Sequence, residues 1–121
     1  MQHDFEPAMT TVTIEVADQE TTAGRMKAAL RGEPQGAFIT FPSYRALWST
    51  LTADRWSILQ ALTGAGPMDR VDLARRVNRS LEAVVGDLDA LLDAGVLDET
   101  PGGEIEFPYD QVRVAFMLQA A

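Results

Sequence analysis

The segment Asp69-Arg70-Val71-Asp72-Leu73-Ala74-Arg75-Arg76-Val77-Asn78-Arg79-Ser80-Leu81-Glu82-Ala83-Val84-Val85-Gly86-Asp87-Leu88-Asp89-Ala90-Leu91-Leu92-Asp93-Ala94-Gly95 carries two helical patterns separated by only a few residues. Asp69 is placed to accept from the free backbone N–H groups of a helix start, and Asp72 adds a favourable charge to its first turn. Leu73, Ala74 and Val77 form the inward face of that helix, and the small Ala74 lets a second helix cross closely. Asn78-Arg79 makes the turn, because Asn tolerates the left-handed backbone at a helix C-terminus. Ser80 caps the second helix, predicted over Leu81–Ala94. Its apolar positions Leu81, Val84, Val85, Leu88, Leu91 and Leu92 follow a period near 3.6, and Gly95 ends it. Two helices joined by so short a turn, with a small residue inside the first, describe a helix-turn-helix.

The flanking sequence extends this unit on both sides. Upstream, Thr52 caps a predicted helix over Ala53–Thr63 whose stripe is Trp56, Ile58, Leu59 and Leu62, and Gly64-Ala65-Gly66-Pro67 stops it. Downstream, Val96–Thr100, Pro101-Gly102-Gly103 and Glu104–Phe107 read as strand, tight turn and strand. A hairpin directly after the second helix is a wing. Residues 52–107 are therefore expected to be a winged helix-turn-helix.

The first part of the chain reads β-α-β-α. Thr10–Val16 alternates β-branched residues, with Val12, Ile14 and Val16 on one face. A helix is predicted over Thr21–Leu30, a breaker-rich loop over Arg31–Gly36, a short strand over Ala37–Phe41, and a helix capped by Ser43 with Tyr44, Leu47, Trp48 and Leu51 on one side. Gln111–Leu118 alternates Val112, Val114, Phe116 and Leu118 and reads as another strand. The first strand has three candidate partners: Phe38-Ile39, this C-terminal strand, and a second copy of the chain. The expected organisation is thus α+β: a flexible arm (residues 1–9), an N-terminal extension serving dimerisation (10–51), the winged helix-turn-helix (52–107) and a C-terminal strand or tail (108–121).

The chain has 121 residues, enough for one domain with a short appendage. It has no cysteine, so disulfide and thiolate chemistry are excluded, in keeping with a reducing cytoplasm. No apolar run reaches the roughly 20 residues of a membrane helix, and the first residues, with Asp4 and Glu6, lack the order of a signal peptide. A cytoplasmic location is expected. His3, the single histidine, falls in the arm, and no nucleophile, base or phosphate-cradling loop stands out. The expectation is a protein that is not an enzyme and needs neither cofactor nor metal. The net charge is −8, and residues 98–121 carry one cationic and five anionic side chains. The aromatic residues Phe38, Phe41, Tyr44, Trp48 and Trp56 are expected in the core rather than around a ligand.

Phe41-Pro42-Ser43-Tyr44-Arg45-Ala46-Leu47-Trp48, Arg55-Trp56, Gly64-Ala65-Gly66-Pro67, Ala74-Arg75-Arg76-Val77, Ala90-Leu91-Leu92-Asp93-Ala94-Gly95-Val96-Leu97 and Phe107-Pro108-Tyr109-Asp110 resemble the MarR-like winged helix-turn-helix DNA-binding proteins of bacteria and archaea, a family that includes TumA-type antitoxins. The resemblance runs from about Thr10 onward. It implies a dimeric transcriptional regulator that represses its own operon and neutralises a partner toxin. The chain departs from the family at the second helix, where Glu82, Ala83, Gly86, Asp87 and Asp89 stand on a face that is usually basic and polar.

In a helix-turn-helix the second helix enters the major groove of double-stranded DNA and its N-terminal residues meet base edges. This places Arg79, Ser80, Glu82 and Ala83 at the bases, with Arg70, Arg75 and Arg76 on phosphates. The alternative for these arginines is a solvated face paired with Asp69, Asp72 and Glu82. The Pro101-Gly102-Gly103 tip carries no Lys or Arg and is flanked by Asp98, Glu99, Glu104 and Glu106, so the wing is expected to pack or touch protein rather than grip phosphate. Two functions follow. One is a homodimeric DNA-binding regulator acting on an operator. The other is an antitoxin or other protein-interaction module for a basic partner, whose open strand edge and acidity suit protein contact.

Overall fold

The alternating Val12, Ile14 and Val16 lie in β1 (Thr11–Val16), the central strand of a three-stranded sheet in the order β2-β1-β5. Strand β2 (Ala37–Phe41) and strand β5 (Gln111–Ala115) both run parallel to it, so two of the three candidate partners of β1 are realised within one chain. The register pairs Ile14 with Ile39 and with Val114, which puts Val12, Ile14, Ala37, Ile39, Phe41 and Val112 on one face. Thr10 and Asp110 clasp the start of the β1–β5 ladder. The Thr10 N–H donates to Asp110 Oδ2 at 3.0 Å, and the Asp110 and Gln111 N–H groups return bonds to the Thr10 carbonyl.

The computed structural model describes residues 10–17, Gly24 and residues 37–115. The arm with His3, the helix expected over Thr21–Leu30 except for Gly24, which is helical, the loop over Arg31–Gly36 and the strand residues from Phe116 onward lie outside the described residues. Among those described, four helices follow the second strand: α1 (Tyr44–Thr50), α2 (Ala53–Leu62), α3 (Arg70–Val77) and α4 (Leu81–Asp93). A two-stranded antiparallel hairpin, β3 (Asp98–Glu99) and β4 (Ile105–Glu106), precedes β5. The architecture is α+β, with a parallel sheet beside a helical cluster.

Each helix starts where a capping side chain is available. Ser43 accepts from the Ala46 N–H, Thr52 from Arg55, Asp69 from Asp72 and Ser80 from Ala83, in every case three residues on. The ends are equally local. Asn78 closes α3 in the left-handed conformation at φ 56°. Gly95 follows α4 at φ 77°, with the Val96 N–H donating to the Leu91 carbonyl and the Gly95 N–H to that of Leu92, the paired bonds of a Schellman ending. Since a left-handed backbone costs an ordinary L-residue roughly 1–2 kcal/mol, Asn78→Ala is expected to lower stability by about 1 kcal/mol, whereas Asn78→Gly changes it little. Urea denaturation of the two variants checks both signs.

One core joins sheet and helices. Val12, Ile14 and Phe41 are buried with Leu47, Leu51, Ile58, Leu59, Leu62, Leu73, Val84, Leu88 and Leu91, and Ile105 and Phe107 close it from the hairpin side. The hairpin is shorter than the sequence pattern, because Val96 and Leu97 turn into the core before the ladder begins at Asp98. Its tip has the Gly103 N–H donating to the Thr100 carbonyl at 2.9 Å, with Gly103 itself at φ 85°. Met68 adds a bridge to the hairpin by exchanging two backbone hydrogen bonds with Ile105.

Three apolar side chains expected inside are not. Trp48 is 53% exposed. Helix α1 spans barely two turns, so its buried stripe is Leu47 and Leu51, four residues apart, and Trp48 lies about 100° round the axis from Leu47. Phe38 is also exposed, because it stands on the opposite face of β2 from Ala37, Ile39 and Phe41. Leu81 is exposed because it is the first residue of α4 and projects past the end of the core. Phe41 is buried, while Tyr44 and Trp56 are half-buried.

Candidate nucleic-acid interface

Helices α3 and α4 are joined by Asn78-Arg79-Ser80 alone. The left-handed Asn78 reverses the chain direction, and the Arg79 N–H donates back to the Ala74 carbonyl at 3.1 Å. Leu73 and Ala74 on α3 and Val84 and Leu88 on α4 are buried in the same core. This fixes which parts of both helices face outward. On α4 these are Glu82, Ala83, Gly86, Asp89 and Asp93; on α3 they are Val71, Asp72, Arg75 and Arg76.

The seven residues expected at DNA divide into two groups. Arg75, Arg76, Ser80, Glu82 and Ala83 are exposed. The Arg75 side chain is 77% exposed and reaches Asp72 only at 3.6 Å, one turn away. Such a pair contributes little and leaves the guanidinium available. Arg76 has no hydrogen bond or ion pair to any described residue. The Ser80 hydroxyl accepts from the Ala83 N–H at 3.2 Å as the helix cap.

Arg70 and Arg79 are committed elsewhere. Arg70 donates to the Gly103 carbonyl at 2.9 Å and to Glu99 at 3.3 Å, pinning α3 to the hairpin. Arg79, with its side chain 22% exposed, places Nη2 at 2.8 Å from Asp87 Oδ2 and 3.7 Å from Asp54. The other oxygen of Asp87 takes the Arg55 Nε at 3.0 Å. Arg55 in turn donates through Nη1 to the Ser49 and Thr50 carbonyls. One carboxylate thus ties the end of α1, the start of α2, the interhelix turn and the second turn of α4. Burial raises the Asp87 carboxyl, but the hydrogen bonds from Arg55 and Arg79 outweigh it and hold the group below its ordinary value of 3.8.

The sequence pattern marks Asp87 as one more acidic residue of an outward face and gives no hint of Arg55. The two are 32 positions apart, and only the crossing of α2 over α4 brings them together. The exposed apolar pair Val71 and Leu81 also escapes the periodicity, since Leu81 fits the buried stripe. Both line a surface depression between α3 and α4, together with Ala74, Arg75 and Asn78. No group of three potential metal ligands occurs among the described residues, and none of their helices is long and apolar enough to cross a membrane.

A family model described as HVO_A0114 matches residues 50–114, more than half of the chain. The chain belongs to the HVO_A0114 family. The HVO_A0114 match begins at the last residue of α1 and ends within β5, so it takes in every residue of the Arg55–Asp87–Arg79 cluster and all seven expected contacts, while β1 and β2 precede it. Neither a curated protein nor a solved structure matches the chain significantly.

Proposed function

We propose that residues 52–107 act as a winged helix-turn-helix and that the protein is a homodimeric, double-stranded-DNA-binding transcriptional regulator, an autorepressor in the simplest case. The observation that carries this reading is the pair α3 and α4 on a three-residue turn, backed by α2 and flanked by a two-stranded hairpin that Met68 joins by a single bridge to Ile105. In this arrangement α4 enters the major groove by its N-terminal end and α3 crosses the backbone. On this face the exposed Arg75 and Arg76 can take phosphates and supply a salt-dependent share of the affinity. Arg70 and Arg79 instead hold the wing and the turn in place. A dimer would set two copies of α4 on half-sites about 10 base pairs apart.

Hydroxyl-radical footprinting on the DNA upstream of its own gene tests this. The expected result is two protected patches separated by about one helical turn. Uniform cleavage at saturating protein would remove the proposal.

A second reading has an observation of its own. Glu82, Asp89 and Asp93 are exposed on α4, and Asp98, Glu99 and Glu104 are exposed around the hairpin. This surface suits a basic protein, such as a toxin that acts on nucleic acid, and in that role the winged helix is a scaffold. Co-expression with a basic protein encoded beside it, followed by size-exclusion chromatography, distinguishes the readings: a stable complex that excludes DNA favours the protein partner.

A further inference from the structure

The groove-facing end of α4 is unusual in what it offers a base. Of its first residues, Arg79 is held by Asp87 and Asp54, and Ser80 spends an acceptor on the Ala83 N–H. Glu82 is an acceptor that phosphate repels. Beside the Ser80 O–H and the Glu82 carboxylate, what this end exposes is apolar. Leu81 is 45% exposed, and Ala83 presents a bare methyl one residue beyond Glu82. Beside Leu81, across the depression between the helices, stands the exposed Val71 of α3, and Arg75 lines the same depression. An exposed leucine at the first position of a helix, with an exposed valine lining the same depression, lies outside the core. A cation beside them is suited to a phosphate at the edge of the same contact.

The major-groove edge of double-stranded DNA carries a single apolar group, the thymine C5-methyl. We propose that Leu81, supported by Val71 and Ala83, reads thymine methyl groups, so that the operator half-site is recognised mainly by apolar contact rather than by arginine–guanine pairing. The inference rests on the DNA-binding reading above and specifies its base preference. Leu81 and Ala83 are the specificity-determining residues, Arg75 positions the backbone, and Arg79 acts through Asp87 to hold the turn that aims Leu81.

The probe is a random-sequence duplex pool from which the full-length protein selects sites at low salt. The enriched duplex is then resynthesised with deoxyuridine in place of each thymidine in turn, which removes the methyl and leaves base pairing intact. The proposal expects a thymine in each half-site at which uracil weakens binding about fourfold, the factor that corresponds to burying one hydrocarbon group. Leu81→Ala is expected to bind the thymine and uracil duplexes equally, and Leu81→Met, which keeps the apolar bulk, to retain the difference. An enriched site indifferent to uracil everywhere overturns this assignment and leaves the regulator standing. A pool from which nothing is enriched overturns both.

Discussion

Replacing Asp87 by alanine is expected to destabilise the protein by about 2–3 kcal/mol, more than loss of any exposed ion pair could. The Asp87 side chain is 17% exposed and accepts from two guanidinium groups at 3.0 and 2.8 Å. Without it, Arg79 keeps only the 3.7 Å contact with Asp54 while its buried Nη1 already lacks a partner, and Arg55 keeps only the carbonyls of Ser49 and Thr50. Breaking such a pair from one side leaves desolvated charge behind, which is why the loss exceeds what the pair contributes relative to an apolar replacement. Asp87→Asn is expected to retain part of the geometry and lose less. Urea unfolding of both variants measures the difference, and an Asp87→Ala variant within about 0.5 kcal/mol of the parent would show the cluster to be incidental.

The same cluster predicts a pH dependence. The folded-state carboxyl of Asp87 is depressed below 3.8, so the unfolded chain binds this proton more readily than the folded one. The stabilisation is therefore fully present above the unfolded value, at neutral and mildly acidic pH. It is lost as pH falls below about 4 and through the lower folded value. The difference in stability between the parent and Asp87→Asn should accordingly shrink in strong acid and stay constant from pH 5 to 7.

The double change Arg75→Ala/Arg76→Ala is expected to weaken DNA binding by at least about tenfold at moderate salt while leaving stability within about 0.5 kcal/mol. Both side chains are exposed, and their only described ion pair is the 3.6 Å contact of Arg75 with Asp72. Each lost phosphate contact should also flatten the dependence of log K on log salt by about 0.9, so the slope falls by about 2 per protomer. Equilibrium titrations of parent and variant at four salt concentrations give both quantities. Unchanged slope with unchanged affinity would move the phosphate contacts elsewhere.

Much of the fold can be read locally, because its signals are local. The side chains of Ser43, Thr52, Asp69 and Ser80 each bond the backbone three residues on, and Asn78 and Gly95 take the left-handed conformation that their residue types permit. These features depend on a handful of neighbouring atoms. The alternation in β1 likewise fixes that Val12 and Ile14 face the core, but neither that Glu15 on the other face is buried as well nor which strands flank it. That choice between β2, β5 and a second copy depends on chain closure across as many as 100 residues. Periodicity overreaches at helix ends and in short helices. Leu81 and Trp48 satisfy an apolar pattern, yet both stand about half exposed.

The candidate interface divides in the same way. That Arg75, Arg76, Glu82 and Ala83 face outward follows from where Leu73, Ala74, Val84 and Leu88 face inward. That Arg70 and Arg79 are held by the hairpin and by Asp87 does not, since Gly103 lies far along the chain from α3 and Asp87 lies on α4 rather than in the turn that carries Arg79. A side chain's sequence position gives the direction in which it leaves the backbone. Whether it is met there by a carboxylate is decided by tertiary packing.

The most direct test is fluorescence anisotropy of the full chain with a labelled duplex from upstream of its own gene, titrated at low and at moderate salt beside a scrambled duplex. The account predicts saturable binding that prefers the upstream sequence and weakens as salt rises, despite a net charge of −8. No binding at the lowest salt would contradict it. That outcome would mean the exposed carboxylates of α4 and the hairpin keep DNA away, and the surface would belong to a protein partner instead.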